Sequence, residues 1–279
     1  MPTLFVPESE MLSREVLFKP VLQWMEDAAA QFGLSVAIGG GGENALASPA
    51  IFSPLLDAGH GHIAWPGGKP LIPWGCLPIG TGGELQAARR ILKEAILRHH
   101  MENGVDIVDP ATTFIGPDAR IGQGTTILPG VVIRGRVSVG EGCELGPFTH
   151  IRSDVSMDRN VRAGAFVEIK NSRLGSGTQM GHLAYAGDAD VGERVNFGAG
   201  AVTVNFNGAE KFRTVIENDA FIGCHTSLIA PVAIRSGAYT AASSAITGEV
   251  PEKALAIARA RQVNKENWQS PKDRLSDDS

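Results

Sequence analysis

The chain has 279 residues, a formal net charge of −5, 43% apolar and 20% charged residues. That length accommodates two small domains, and the acidic balance carries no footprint of nucleic-acid binding. No apolar run of about 18 residues occurs to span a membrane, and the opening MPTLFVPESE lacks the basic and apolar regions of a secretion signal. The three cysteines, Cys76, Cys143 and Cys224, have neither metal nor framework spacing. They read as free thiols of a reducing cytoplasm.

Residues 1–12 read as a loose lead-in. Pro20 to Phe32 predicts a helix, with Pro20 in its first turn and Gly33 at its C-cap. Leu34–Ile38 suits a strand. Gly39–Gly42 then breaks the pattern, and residues 43–82 show no long period. The glycine run lacks the helix pattern and Lys-Thr/Ser that a phosphate cradle requires, so it reads as a connector. His60 and His62 lack a third ligand at useful spacing, and no metal is expected. Glu84 to Met101 predicts a second helix, with Leu85, Ala88, Leu92, Ala95 and Ile96 on one stripe and Asn103-Gly104 as its stop.

From Ile115 to Val250 a period of six takes over. Ile115, Ile121, Ile127, Ile133, Val139, Leu145, Ile151, Met157, Ala163 and Ile169 hold one phase. A small or β-branched residue follows four positions after each of the first nine, from Ala119 to Val167. The phase slips at Leu174 and again at Val191, breaks at an insertion over 204–213, and resumes at Ile216. Neither a helix nor a plain strand has this period; a hexapeptide-repeat parallel β-helix does. Three hexads, about 18 residues, make one three-sided coil, and about seven stacked coils are expected. The period leaves the hand open, while the general crossover rule favours a right-handed one.

The phase also sorts outward residues. Arg152 and Lys170 both follow an inward apolar residue and lie one coil apart. Stacked like charges repel, so an anion, with phosphate the natural choice, is expected between them; a splayed, solvated pair is the alternative. Glu168, His182, Tyr185 and Asn196 face out nearby. Histidine is the residue type best suited to act as a general base, and His182 is the candidate. The insertion carries Asn205 and Lys211, and loops that interrupt a rigid repeat commonly bind ligands. One prism face makes a poor pocket, so a neighbouring subunit is expected to complete the site.

The stretches MENGVDIVDPATTFI, GAFVEIKNSRLGSGTQMGHLAYAGDADVGERVNFGAGAVTVNFNG and ALAIARARQVNKENW resemble the acetyltransferase half of a bacterial bifunctional family. That family joins N-acetylglucosamine-1-phosphate uridylyltransferase to glucosamine-1-phosphate N-acetyltransferase. The resemblance implies a mainly β chain built on a left-handed parallel β-helix, with a small N-terminal α/β remnant. It implies residues 1–82 as a truncated nucleotidyltransferase-like remnant, 83–104 as a connecting helix, 105–251 as the β-helix and 252–279 as a tail. It further implies a cytoplasmic homotrimer with sites between subunits, binding glucosamine 1-phosphate and acetyl-CoA and serving UDP-N-acetylglucosamine and cell-wall synthesis. His182 is implied as general base. Arg152, Lys170, Tyr185, Asn196, Lys211 and Glu168 are implied on the sugar-phosphate side. Ala199, Asn205, Phe206, Cys224, Ala242 and Arg259 are implied on the acetyl-CoA side.

This chain departs from the family at Phe206, commonly tyrosine there, and at Cys224, commonly serine. It also lacks the Gly-x-Gly-Thr-Arg-Met loop of uridylyl transfer, which is therefore not expected. Two other functions stay open: an acyltransferase for another amino sugar, and a non-catalytic sugar-phosphate scaffold.

Overall fold

The computed structural model describes residues 82–269 continuously. Before them it describes the strands Thr3–Val6, Glu15–Val16, Lys19–Pro20, Ser35–Ile38, His62–Ala64 and Pro70–Pro73. Thr3–Val6 pairs parallel with Ser35–Ile38, so the opening residues are more than a lead-in, and the strand expected from Leu34 starts at Ser35. The helix expected from Pro20 lies outside the described residues, except that Pro20 itself ends a strand paired with Glu15–Val16. The glycine run 39–42, and the side chains of His60 and His62, also lie outside them.

The helix Gly82–Glu102 (α1) stands at the head of the solenoid. It buries Leu92, Ile96 and Leu97 against the first coil. Its end is a left-handed cap. Gly104 has φ 83°, and the Val105 N–H reaches back to His100 O at 3.1 Å. Glycine takes that φ without strain, which turns the chain straight into the first coil.

The solenoid has three faces, parallel sheets of nine, eight and seven strands, and therefore about eight coils. Asp106–Ile107 adds a rung before the hexads counted from Ile115, and Leu255–Ala256 adds one beyond Val250. The predicted phase is the phase of the core. Ile115, Ile127, Ile133, Leu145, Ile151 and Ile169 are at most 1% exposed. The small positions, Ala119, Thr125, Val131 and Thr149 among them, are fully buried. Most inward threonines are satisfied because the hydroxyl meets a main-chain carbonyl, as Thr149 Oγ1 does at Ala163 O, 2.9 Å; Thr214 Oγ1 is buried without such a partner.

Each coil buries its core only against its neighbours, so a void in one rung is felt across several. Ile169→Ala, within the Ile133–Ile151–Ile169–Ala186 column, is expected to cost about 2–5 kcal/mol in urea unfolding. A loss under about 1 kcal/mol would mean the column collapses around the cavity.

Candidate functional site

The eight-stranded sheet carries Glu168, Lys170 and Tyr185 of the expected site, with Arg152 directly after one of its strands. His150–Ile151 pairs with Glu168–Lys170, and the Arg152 N–H donates to Ile169 O at 2.8 Å. Arg152 and Lys170 therefore occupy successive rungs. Glu168–Lys170 pairs in turn with Tyr185–Gly187, which sets Tyr185 above Glu168 and Gly187 above Lys170. A Cβ at Gly187 would lie 2.1 Å from Tyr185 Oη. Gly187 thus leaves the space that the tyrosine ring crosses. The phenol meets Asn205; burial, then the charges of Glu168 and Asp188, push its pKa up.

The two cations do not simply splay. Arg152 forms an ion pair with Glu168 at 2.9 Å. Lys170 meets Lys211 of the insertion, and this contact, then burial and the Lys211 charge, hold its pKa below the ordinary lysine value. Like charges brought together make a site that gains from an anion.

The insertion is a built loop. Phe206 and Lys211 form an antiparallel bridge, and the Phe212 N–H donates to Asn205 O at 2.9 Å. Asn207 Oδ1 accepts from the Ala209 and Glu210 N–H groups at 2.9 and 2.7 Å. Arg213 closes the loop with a two-pronged bond to Asp190 at 2.7 and 2.8 Å. That pairing draws the Asp190 carboxyl below its usual range. Phe206 is 53% exposed, its ring facing away from the core.

His182 ends the strand Gln179–His182 of the nine-stranded sheet, at the corner before the eight-stranded one. It is exposed and pairs with Ala165 below. Leu183 N–H donates to Ala165 O, and Gly200 N–H to Leu183 O, each at 2.9 Å. Further up, His225 N–H donates to Ala199 O at 2.7 Å and Ser243 N–H to Cys224 O at 2.8 Å. This ladder puts Ala165, His182, Ala199, Cys224 and Ala242 on successive rungs of one corner. Above them, Ala258 N–H donates to Ser244 Oγ at 3.1 Å, which brings Arg259 to the same end. Of the residues expected on the acetyl-CoA side, Ala199, Cys224, Ala242 and Arg259 thus lie along one track leading away from His182, while Asn205 and Phe206 lie in the insertion.

Asn196 stands apart. It lies on the nine-stranded sheet between Gln179 and Phe221, while Glu168, Lys170 and Tyr185 lie on the eight-stranded one. Asp188, Asn171, Asp190 and Arg213 were not singled out by the periodicity. Their signal was present one step past it. Asp154, Asn171 and Asp188 recur at one corner with φ of 64, 45 and 51°, a conformation that Asn and Asp tolerate better than most residues. Among the described residues no cluster of His, Cys, Asp or Glu could hold a metal, and no helix is long and apolar enough to cross a membrane.

Residues 118–153 match the family model described as bacterial transferase hexapeptide (six repeats). The bifunctional protein GlmU of Geobacillus thermodenitrificans is 46% identical over 217 residues, covering 66% of this chain and 47% of that protein. Its counterpart in Bacillus velezensis is 44% identical over 253 residues, covering 79% and 55% respectively. Among solved structures, an Arabidopsis UDP-N-acetylglucosamine acyltransferase aligns with TM-score 0.43 and 15% identity, over 56% of this chain and 66% of its own. The chain spans about half the length of the curated relatives it matches. With its hexapeptide solenoid and this identity across its C-terminal part, the chain is a homologue of bifunctional protein GlmU.

Proposed function

We propose that this chain transfers an acetyl group from acetyl-CoA to the amine of glucosamine 1-phosphate, yielding N-acetylglucosamine 1-phosphate for UDP-N-acetylglucosamine synthesis. One observation carries the reading. A cluster of Arg152, Lys170 and Lys211 lies at one edge of the eight-stranded face, and His182 lies at its other edge. A sugar phosphate bound across that face sets its phosphoryl group on the cations and its amine toward the imidazole. His182 then takes a proton as the amine attacks the thioester carbonyl, the C–S bond breaks, and the proton passes to the departing coenzyme A thiolate. The small residues Ala199 and Ala242 on the corner above leave room for the donor's chain, and Arg259 at its end suits the donor's phosphates.

The same geometry favours an assembly, for which a homotrimer is the proposed form. Faces of a three-sided prism point in diverging directions, so Asn196 does not share a face with Lys170 of its own protomer. A second copy would bring the two together. Phe148, Phe166 and Leu183 on the His182 corner are 55, 59 and 59% exposed and offer apolar surface for that contact. Stacked Phe148 and Phe166 rings, 5.2 Å apart, make the surface continuous.

The test is release of free coenzyme A thiol from acetyl-CoA in the presence of glucosamine 1-phosphate, against a panel of other amino sugars. Turnover is expected with glucosamine 1-phosphate. Turnover only with another amino sugar overturns the acceptor assignment, and binding without any turnover overturns the enzyme.

A further inference from the structure

The corner that follows Lys170 holds a carboxylate to which the functional reading gives no role. Asp188 is 5% exposed. Its carboxylate accepts hydrogen bonds from the side-chain amides of Asn171 and Asn205. Its peptide N–H donates to Lys170 O at 3.1 Å, and its carbonyl accepts from the Thr214 N–H at 3.0 Å. Asn205 opens the insertion, and Thr214 is where the coil resumes. One residue therefore ties both ends of the excursion to the coil that carries Lys170. The loop between is stitched by its own hydrogen bonds, so seating its base also seats Lys211.

Charge supports the same role. Lys170 is faced by Lys211 from the insertion, by Arg152 from the preceding coil and by Asp188 from the next corner. Of these only Asp188 is negative. Two ammonium groups in contact repel, and a nearby buried anion offsets that repulsion before a ligand arrives. The carboxylate itself is held in position by two amide donors.

We propose that Asp188 is the positioning residue of the anion clamp. It seats the insertion so that Lys211 faces Lys170, and it supplies the buried negative charge that lets both ammonium groups stand together until a phosphoryl group binds. The inference rests on the anion-clamp part of the functional reading, not on acetyl transfer.

The sign of its pH dependence follows. Asp188 favours the protonated form of Lys170. Without that charge, Lys170 loses its proton at lower pH, and affinity for a phosphoryl group falls away at lower pH on the alkaline side.

The full chain is titrated calorimetrically with inorganic phosphate and, separately, with glucosamine 1-phosphate across neutral to alkaline pH. Asp188→Asn is expected to weaken both by roughly tenfold, the loss of one charge-assisted contact, and to move the alkaline loss of affinity to lower pH. Asp188→Glu, which keeps the charge, is expected to restore the alkaline limb. Asp190→Asn frees the far end of the loop at Arg213 and is expected to leave that limb where it was. Should Asp188→Asn fail to fold, Asn205→Ala tests the loop tie alone, with weaker binding expected and no shift of the limb.

Wild-type affinity and an unmoved limb in Asp188→Asn overturn the proposal. So does a loss of affinity that only tracks the unfolded fraction seen by circular dichroism. If the wild type binds neither ligand, the clamp and the proposal fall together. If phosphate binding depends on Asp188 yet no acetyl transfer occurs, the proposal stands and the acetyltransferase reading falls.

Discussion

His182→Ala is expected to lower kcat for acetyl transfer by roughly 10²–10⁴-fold while leaving KM for both substrates little changed. A general base acts as the proton moves, so its loss is felt in the transition state rather than in binding. The position favours that role. His182 is exposed at the corner between two faces, with alanines on the rungs below and above it. The small side chains of Ala165 and Ala199 leave room directly below and above the imidazole. The strand that carries it is hydrogen-bonded on both sides, to Arg162–Ala165 and to Asn196–Phe197, so the ring stands on a rigid base. The measurement is steady-state kinetics against each substrate. Unchanged kcat would show that the proton leaves by another route, and a rise in KM with unchanged kcat would make His182 a binding group.

Gly164→Ala is expected to be among the most damaging single-methyl changes in the chain. A Cβ there would lie 2.0 Å from Gly181 O and 2.8 Å from Gly181 C, the backbone of the next coil. No side chain can swing aside to relieve that contact, so the two coils must separate. The expected cost is about 3 kcal/mol, the upper range for overpacking, read as a drop in the unfolding midpoint. Because Gly181 immediately precedes His182, kcat is expected to fall as well. Gly181→Ala is the matched control: a Cβ there meets nothing within 4 Å, and a change within about 0.5 kcal/mol is expected. Equal stability of the two variants would mean that the coil spacing at this corner yields to a methyl group.

These expectations show where sequence and structure part. The six-residue period is written in local chemistry. A large apolar residue and a small one four positions later can both turn inward only on a short strand followed by a corner. The residues in phase from Ile115 to Ile246 therefore reappear as the core, and the spacing of Arg152 and Lys170 reappears as adjacent rungs. The C-terminal helix stop was legible for the same reason, since Gly104 takes a φ that few other residues accept.

Sequence by itself thus determined the solenoid, its phase, and the outward placement of His182, Glu168, Lys170 and Tyr185. What it left open depended on contacts between residues far apart in the chain. The cation cluster is one case. Arg152 and Lys170 do stack on adjacent rungs, but only the structure shows that Arg152 also pairs with Glu168 and that Lys170 also meets Lys211, which the insertion brings back from 41 positions later. Asp188 is another. The recurrence of Asp154, Asn171 and Asp188 marks a corner but not its contacts, and only the folded chain shows Asp188 buried between two asparagines at the root of the loop. Asn196 is the third, because a six-residue period counts rungs equally well on every face, and only the sheet assignment separates it from Lys170. The period states how the chain climbs. Which side chains converge is decided by where its corners and its one insertion place them.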